Sequence, residues 1–472
     1  MTEQSAIRVL LLTVLVWHLA VCWCLFGRDW PGWKRLRGRR KPKRRKRRPK
    51  LYKKPKPFEG LTQKPVCEAC LAEADAKVSA QRREAPPRIE RDRGRRPSVD
   101  TSIHFCCEEK CVYHGWLGKG NIIANGHPSG GRWRQLKCVV CRKHFQETIG
   151  TVFYGSSVPA EDIMHGIALL CEGVSPRKVA GVHKVDKDTV LSWLADAAVH
   201  SEAVLGYMLH DLQLSEVQMD ELYALLSEMR GEEGERGRCW VWAAIDPISK
   251  LVLALEVGDR RLAMAQRLVH GVVSVLAPGV VRLFVTDQLA AYTKALLTHF
   301  GCWVERTSER SGRVLRRWVP DERLRYAQVR KRRARHKNVA VSTGVVLGTR
   351  EAIHSTLRAL GQKINTAYIE RVNRTLRAHV PGLGRREEGL AKTEAGLRRQ
   401  GMLFIGYYNL CLPHESLREA LPQPRPTKGN GSPKKWQPRT PAMAAHVTDH
   451  VWSVGEFLLF RVPPWRQEGM AA

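Results

Sequence analysis

The sequence predicts an α/β protein built on a mixed sheet, preceded by a small cysteine-rich metal-binding domain and a helical segment. Short β-rich runs alternate with helical stretches from about residue 214 to 300, namely CWVWAAID, LVLALEVG and VVRLFVTD, with helices beginning near Arg261 and Leu289. Close cysteine pairs lie between residues 104 and 150, in a stretch with little apolar core of its own. Strands separated by helices are typical of a mixed α/β sheet.

The composition indicates a polyanionic partner. The 472 residues include 79 Lys and Arg against 46 Asp and Glu, a formal net charge of +33. Folding does not require such an excess, so nucleic acid or the anionic face of a membrane is expected as the partner. A hydrophobic content of 43% excludes a wholly disordered chain. The thirteen cysteines, an odd number with several close pairs, favour metal ligation in a reducing compartment over disulfides.

The N-terminal region predicts an apolar helix followed by a basic linker. Residues 9–26 (VLLLTVLVWHLAVCWCLF) are about long enough to span a bilayer, and a dense basic stretch follows them. The basic flank predicts a single-pass anchor with the remaining chain at the cytoplasmic face, associated with the nucleoid. The alternative is an inert apolar leader. Residues 1–26 are therefore assigned to this helix and residues 27–100 to a disordered linker, in which Cys67-x-x-Cys70 is a weak metal signal.

Four cysteines predict a zinc site within residues 101–155. Cys106-x4-Cys111 and Cys138-x2-Cys141 form two short knuckles joined by a longer loop, which suits tetrahedral zinc. The stretch LKCVVCRKHFQ has the pattern of a zinc ribbon. Cys107 adjoins Cys106 and could replace it as a ligand, and a set of buried free thiols is the alternative reading.

Residues 156–205 predict a helix-turn-helix. Ser175-Pro176 marks the start of one helix, and Asp186 or Asp188 caps a second. Apolar residues have the spacing to pack these helices at a sharp angle: Val179, Ala180, Val182, Val190, Trp193 and Leu194. In such a unit the second helix enters the major groove, so Lys184, Lys187 and Thr189 would lie near phosphates or base edges. A helical connector without DNA contacts is the alternative.

Most of the acidic residues lie in charged stretches typical of a protein surface, but three do not. Asp220 lies in the strand-like run VQMDELYALL, and Asp287 ends VVRLFVTD, at the end of a strand where α/β sheets place their sites. Glu370 lies in the helix NTAYIERVNRTLRAHVPGLGRR. Carboxylates gathered from distant points can hold paired Mg2+ ions for phosphodiester cleavage. Asp246 is the fallback for the first acid, and Glu221 is expected on the opposite face of its strand.

The helix that carries Glu370 also carries polar and cationic side chains. Asn373, Arg374 and Arg377 follow at i+3, i+4 and i+7, so they share one face with the glutamate. A carboxylate on a face lined with guanidinium groups suits a place where metal and phosphate backbone meet. The three residues are therefore predicted to contact DNA.

The chain resembles the DDE transposases of bacterial insertion sequences over roughly residues 100–455. The matching stretches include HFCCEEKCVYHG, RWRQLKCVVCRKHF, LFVTDQLAAY, YYNLCLPHESL and RTPAMAAHVTDHVWS, and the most specific is the NTAYIERVN helix. The resemblance implies a ribonuclease-H-like core over residues 210–420, with Asp220, Asp287 and Glu370 as its metal-binding acids, followed by a C-terminal tail at 421–472. One departure is Cys107, which stands where relatives usually have proline.

The resemblance also implies cofactors and partners. It implies Mg2+ or Mn2+ at the acids, Zn2+ at the cysteines, and a homo-oligomer that binds terminal inverted repeats and target DNA to carry out hydrolysis and strand transfer. Two alternatives remain: a transposase-derived DNA-binding regulator without cleavage activity, which the apolar residues 9–26 could tether to a membrane, and a metal-dependent nuclease without strand transfer.

Overall fold

The computed structural model describes residues 84–90, 100–128, 130–230, 235–279, 282–307, 314–334, 337–383, 391–427 and 431–467. The predicted apolar helix, most of the basic linker and the Cys67–Cys70 pair lie outside these residues. Statements about the fold refer to the described ranges.

The expectation of a membrane anchor is corrected. Residues 9–26, on which it rested, are outside the described ranges, and no helix within those ranges combines the length and apolarity needed to cross a bilayer. A single-pass protein held at the cytoplasmic face therefore has no support in the structure, and the anchor is not carried further.

Between residues 214 and 300 strands and helices occur as the apolar pattern predicts. The strands are β1 (Ile122–Ala124), β2 (Gln135–Cys138), β3 (His144–Gln146), β4 (Glu216–Arg230), β5 (Glu235–Ile245), β6 (Val252–Gly258), β7 (Arg282–Thr286), β8 (Gly301–Thr307), β9 (Val314–Pro320), β10 (Leu324–Ala334), β11 (Lys337–Leu347), β12 (Glu419–Arg425) and β13 (Lys434–Gln437). The helices are α1 (Ala160–Cys171), α2 (Pro176–His183), α3 (Lys187–Met208), α4 (Leu262–Val275), α5 (Ala290–His299), α6 (Arg350–Ala359), α7 (Ala367–His379), α8 (Glu394–Leu410), α9 (Pro441–Ala444) and α10 (Val454–Leu459). The predicted helix starts at Arg261 and Leu289 are confirmed, since these residues cap α4 and α5.

A six-stranded mixed sheet forms the centre of the fold, in the order β11-β10-β7-β4-β5-β6. Strands β4, β7 and β10 are parallel to one another, whereas β5 and β6 continue from β4 as an antiparallel meander and β11 is antiparallel to β10. The predicted mixed α/β sheet is confirmed, and its arrangement is consistent with a ribonuclease-H-like core.

Helices cover both faces of this sheet. On one face Leu283, Val285 and Ala327 pack against Ile353 and Leu357 of α6. On the other face the alternate residues of the strands join a larger core with α4, α5, α7 and α8. Alternation along β7 therefore buries both faces, and full burial of each such aliphatic side chain contributes about 1.5–3 kcal/mol.

Residues 305–340 differ from the irregular basic segment that we expected. They contain most of two antiparallel hairpins, β8–β9 and β10–β11. The Lys and Arg side chains of LRYAQVRKRRA obscure the strand pattern, because a partly exposed strand can carry charges on the face that the core does not use.

Helices α2 and α3 are joined by three residues, 184–186. Lys184 adopts the left-handed conformation (φ 51°) that ends α2, and Asp186 precedes α3. The predicted contact residues are buried except for Val182, whose side chain is 60% exposed; its expected packing was wrong, because Val182 lies on the outer face of the short helix α2. At Gly166 of α1 a Cβ atom would lie only 2.8 Å from the Trp193 ring, so glycine permits the close approach of α1 and α3.

The segment after α10 packs against the cysteine-rich sheet β1-β2-β3. The Nη1 atom of Arg461 donates a 2.6 Å hydrogen bond to the carbonyl oxygen of Phe105, and its guanidinium lies 3.7 Å from the centre of the Phe105 ring. The ring of Trp465 contacts those of His114 and Trp116. The chain therefore returns, after the main sheet is complete, to support its small N-terminal sheet.

Candidate active site

Two predicted acids lie side by side because of the strand register. In the parallel pair β4–β7, Gln218 lies opposite Val285. Two residues further along each strand come Asp220 and Asp287, and Asp287 follows directly after the last residue of β7. The oxygen atoms of both carboxylates belong to one group whose members lie within 4.8 Å of one another.

The third member of this group is Glu221, which we had expected to face away from Asp220. That expectation was wrong. Alternation fixes the direction of the Cα–Cβ bond only, and β7 ends before Asp287, so side chains from both faces of β4 can approach the Asp287 carboxylate. Two further residues hold the Glu221 carboxylate in place. Tyr292 donates a 3.1 Å hydrogen bond to Oε2, and Arg260 forms an ion pair with Oε1.

The acidic group is electrostatically unfavourable without a cation. Burial, followed by the charges of Glu221 and Asp287, raises the pKa of Asp220 from 3.8 to about 7. Burial and the nearby Asp287 charge also raise the pKa of Glu221, although Arg260 opposes them. Crowded carboxylates that resist ionisation are typical of functional sites.

Helix α7 packs across this group and contacts it through an amide. The Nδ2 atom of Asn373 donates a 2.9 Å hydrogen bond to Oδ2 of Asp220. Gln218 accepts a hydrogen bond from the backbone of Ile369, and Arg377 donates from Nη2 to the carbonyl oxygen of Tyr223. These contacts fix α7 to β4, so Arg377, predicted to bind DNA, also has a structural role.

Glu370 is not among the residues whose oxygen atoms meet at the acidic group. Its Oε1 atom accepts a 2.6 Å hydrogen bond from Thr366 and forms an ion pair with Lys331 of β10. It lies three residues, slightly less than one helical turn, before Asn373 on α7. The structure therefore brings Asp220 and Asp287 together with Glu221 and places Glu370 on the helix that packs over them.

The chemistry of this donor set fits a divalent cation. Three carboxylates supply the hard oxygen ligands that Mg2+ and Mn2+ prefer, and a cation would relieve their mutual repulsion. The Oδ1 atom of the buried Asn373 has no hydrogen-bond partner, so a polar acceptor remains available beside Asp220. The signal that sequence reasoning missed was the second acid of the Asp220-Glu221 pair.

Asp246, the fallback for the first acid, lies in a different environment. It is 3% exposed, and its carboxylate accepts hydrogen bonds from the backbone of Ile248 and from the backbone and hydroxyl of Ser249. It therefore stabilises the turn after β5 and is not a member of the acidic group.

The four predicted cysteines form a second group, with all sulfur atoms within 4.8 Å of one another. The Sγ atoms of Cys106 and Cys141 are 3.5 Å apart, and those of Cys111 and Cys138 are 4.0 Å apart. Zn–S bonds of about 2.3 Å in a tetrahedron place sulfurs about 3.8 Å apart, so the spacing fits zinc. Cys107 does not belong to this group, and the structure therefore favours Cys106 as the ligand.

The electrostatics at Cys138 also suit a metal ligand. Burial raises the pKa of the Cys138 thiol, but hydrogen bonds from the backbone of Cys141 and from Asn121 outweigh burial and hold that pKa below its usual value. The thiolate is the form that binds zinc.

The predicted DNA contacts on the helices differ in exposure, and Asn373 is only 6% exposed and bonded to Asp220. Lys184 and Lys187 are exposed at the α2–α3 turn, Thr189 is half-buried, and Arg374 is exposed on α7. These DNA contacts stay predictions.

No family model and no curated protein matches the chain. Among solved structures, a chain of the Mos1 strand transfer complex matches 29% of this chain and 55% of its own length, with 14% identity and a TM-score of 0.12. The match thus spans about half of that chain, and its TM-score is too low to support an argument.

Proposed function

We propose that this protein is a metal-dependent DNA transposase of the DDE type, which cleaves the ends of a mobile element and transfers them to target DNA. The observation that carries the proposal is the convergence of Asp220 and Asp287 at the end of β7, beneath the helix that carries Glu370. The resemblance to insertion-sequence transposases over residues 100–455 and the net charge of +33 support the same class.

Asp220, Asp287 and Glu370 would hold the Mg2+ or Mn2+ ions. When bound, these ions supply the activation of a water or 3′-hydroxyl and the neutralisation of the leaving oxygen. Glu221, a member of the same acidic group, is paired with Arg260 and Tyr292 and would hold the group in position. Glu370, which forms an ion pair with Lys331, would exchange this lysine for the cation.

The remaining elements would bind the DNA. The cysteine-rich sheet would be a zinc ribbon, and α2 and α3 a helix-turn-helix with Lys184, Lys187 and Thr189 at the DNA surface. These two domains would bind the terminal inverted repeats, while Arg374 and Arg377 approach the phosphates near the acids. Joining two DNA ends requires more than one protomer, so the active form would be a homo-oligomer on DNA.

Cleavage of the DNA that flanks the gene tests this proposal. End-labelled duplexes from both flanks are incubated with the protein and Mg2+, and products are separated on denaturing gels, with transfer to a plasmid as the second readout. We expect D287A to abolish both reactions and the control D259A, at an exposed acid, to retain them. A wild-type protein that binds the flanks but never cuts them would instead identify a transposase-derived regulator, and cutting without transfer would identify a nuclease.

A further inference from the structure

A cavity of about 460 Å³ lies against α7, the helix that contacts the acidic group through Asn373. Its wall combines α7 with the turn after β5, the end of α8 and the loop that follows α8. The lining residues that bear on its chemistry are Lys250, Tyr368, Arg371, Arg374, Tyr408 and His414. No Asp or Glu is among its lining residues.

The cations of this cavity are only partly compensated. Asp246 and Glu216 act on Lys250, whose ammonium lies 3.7 Å from the centre of the Tyr368 ring. The guanidinium groups of Arg371 and Arg374, in contrast, have no hydrogen-bond or ion-pair partner among the residues that the structure describes. Two unpaired guanidinium groups that share one concave wall favour an anionic ligand, since a guanidinium presents a fork of donors that matches phosphate oxygens.

The cavity and the acidic group contact different faces of the same helix, α7. At about 100° per residue, Arg374 lies about 40° around the helix from Glu370, and Arg371 about 100°. Arg374 thus stands between the face that contacts Asp220 and the face that lines the cavity. A polyanion that lies across the acids can continue over Arg374 into the cavity without leaving the surface of α7.

We propose that this cavity binds a backbone phosphate of the DNA strand that occupies the acidic site, with Arg371 and Arg374 as the phosphate ligands. The inference rests on the proposed function for the presence of DNA. The bound phosphate would fix the path of the strand beside the acids, a second point of attachment that restrains how the scissile bond lies.

Salt-dependent DNA binding by the full chain tests the proposal. The probe is a fluorescein-labelled duplex of the flanking DNA, with Ca2+ in place of Mg2+, and fluorescence anisotropy gives Kd over a salt series. Each phosphate contact contributes about 0.9 to the slope of log affinity against log salt. We expect R371Q/R374Q to bind about tenfold more weakly with a slope smaller by about 1, whereas R358Q/R399Q, at exposed arginines of α6 and α8, keeps the wild-type slope.

Two further measurements separate a lost phosphate contact from a folding defect and from a site for free phosphate. R371K/R374K keeps the charges and should recover the slope but not the full affinity, which a general folding defect of the double variant would not produce. Calorimetry with inorganic phosphate and with a nucleoside monophosphate tests a free ligand. If DNA binding is unchanged in R371Q/R374Q, the proposal is overturned. If, in that case, inorganic phosphate binds to the wild type but not to R371Q/R374Q, the cavity is a site for free phosphate.

Cleavage and salt dependence together distinguish a wrong transposase assignment from a wrong phosphate site. If the wild type never cleaves the flanking DNA but R371Q/R374Q still lowers the salt slope, the transposase assignment fails and the phosphate site stands. If cleavage proceeds and the slope is unchanged, the transposase assignment stands and the phosphate site fails.

Discussion

Asn373 on α7 donates a 2.9 Å hydrogen bond from its side-chain amide to the carboxylate of Asp220 on β4, across 153 residues of sequence. This bond connects the helix of Glu370 to the strand of the first acid. The amide therefore orients the Asp220 carboxylate. A neutral donor can do this without neutralising the charge that a cation would need.

We therefore expect N373A to lower metal affinity and DNA cleavage about 10–100-fold, as is usual when a residue that orients a metal ligand is lost. Calorimetric titration with Mn2+ and the cleavage assay measure the two effects. The control is N365A, which removes a hydrogen bond from the backbone of Ala367 to the Asn365 side chain at the start of the same helix without touching an acid. Equal losses in both variants would mean that Asn373 merely stabilises α7.

The raised pKa of Asp220 predicts a pH-dependent stability of the metal-free protein. Its pKa is about 7 when folded against 3.8 ordinarily, so between these values the folded state binds the proton more tightly than the unfolded state. The contribution of Asp220 to the free energy of unfolding should thus be greatest below about pH 4 and fall as pH rises to about 7, by no more than about 4 kcal/mol. Urea unfolding at about pH 5 and about pH 8 measures it.

D220N should remove part of that fall, since asparagine carries no charge at either pH. The buried Glu216, whose pKa burial also raises to about 7, contributes in the same direction, so E216Q serves as the comparison at a distance from the acidic group. Mg2+ should stabilise wild type and E216Q near pH 8 but not D220N. The same pH dependence in metal-free wild type and metal-free D220N would contradict this prediction.

Glu221 and Glu370 should have separable roles. Glu221 is already paired with Arg260 and Tyr292, so E221Q should reduce metal affinity about 10–100-fold while some cleavage persists at saturating metal. Glu370 is proposed to reach the metal only by leaving Lys331, so E370Q should abolish cleavage but leave most of the affinity for the first Mn2+ ion. Titration and single-turnover cleavage measure these effects, and full cleavage by E370Q would make Glu221 the third catalytic acid.

Zinc content tests the cysteine group. The purified protein should contain about one zinc per chain, and C138S or C106S should lose it and lower the melting temperature, because the small sheet has little other core. The matched controls are C107S, outside the group of four sulfurs, and C302S, at an exposed cysteine of β8. Elemental analysis and thermal unfolding measure both effects, and zinc loss in C107S but not in C106S would reverse the ligand assignment.

The α2–α3 turn should contribute to DNA affinity in a salt-dependent way. K184A and K187A should each lower the salt slope by about 1, the loss expected for one phosphate contact. Anisotropy with the flanking duplex measures it, with K392A, at an exposed lysine before α8, as the control. Unchanged slopes in both variants would favour a plain helical connector in place of a helix-turn-helix.

The sequence by itself determined the features that depend on residues close together in the chain. The alternating apolar runs predicted the strands and the helix starts at Arg261 and Leu289, and the knuckle spacing selected the four cysteines. These features depend on residues close in the chain, so periodicity and spacing are sufficient to find them. The highly charged strand β10 was missed because its Lys and Arg side chains mask the apolar alternation.

Only the tertiary structure decided which side chains meet. The parallel register of Gln218 and Val285 brings Asp220 beside Asp287, and the end of β7 opens a place that Glu221 also reaches. Glu370 lies instead against Lys331. Register and helix packing arise from contacts between residues far apart in the chain. The sequence around an acidic residue therefore does not show which side chain it will contact in the folded protein.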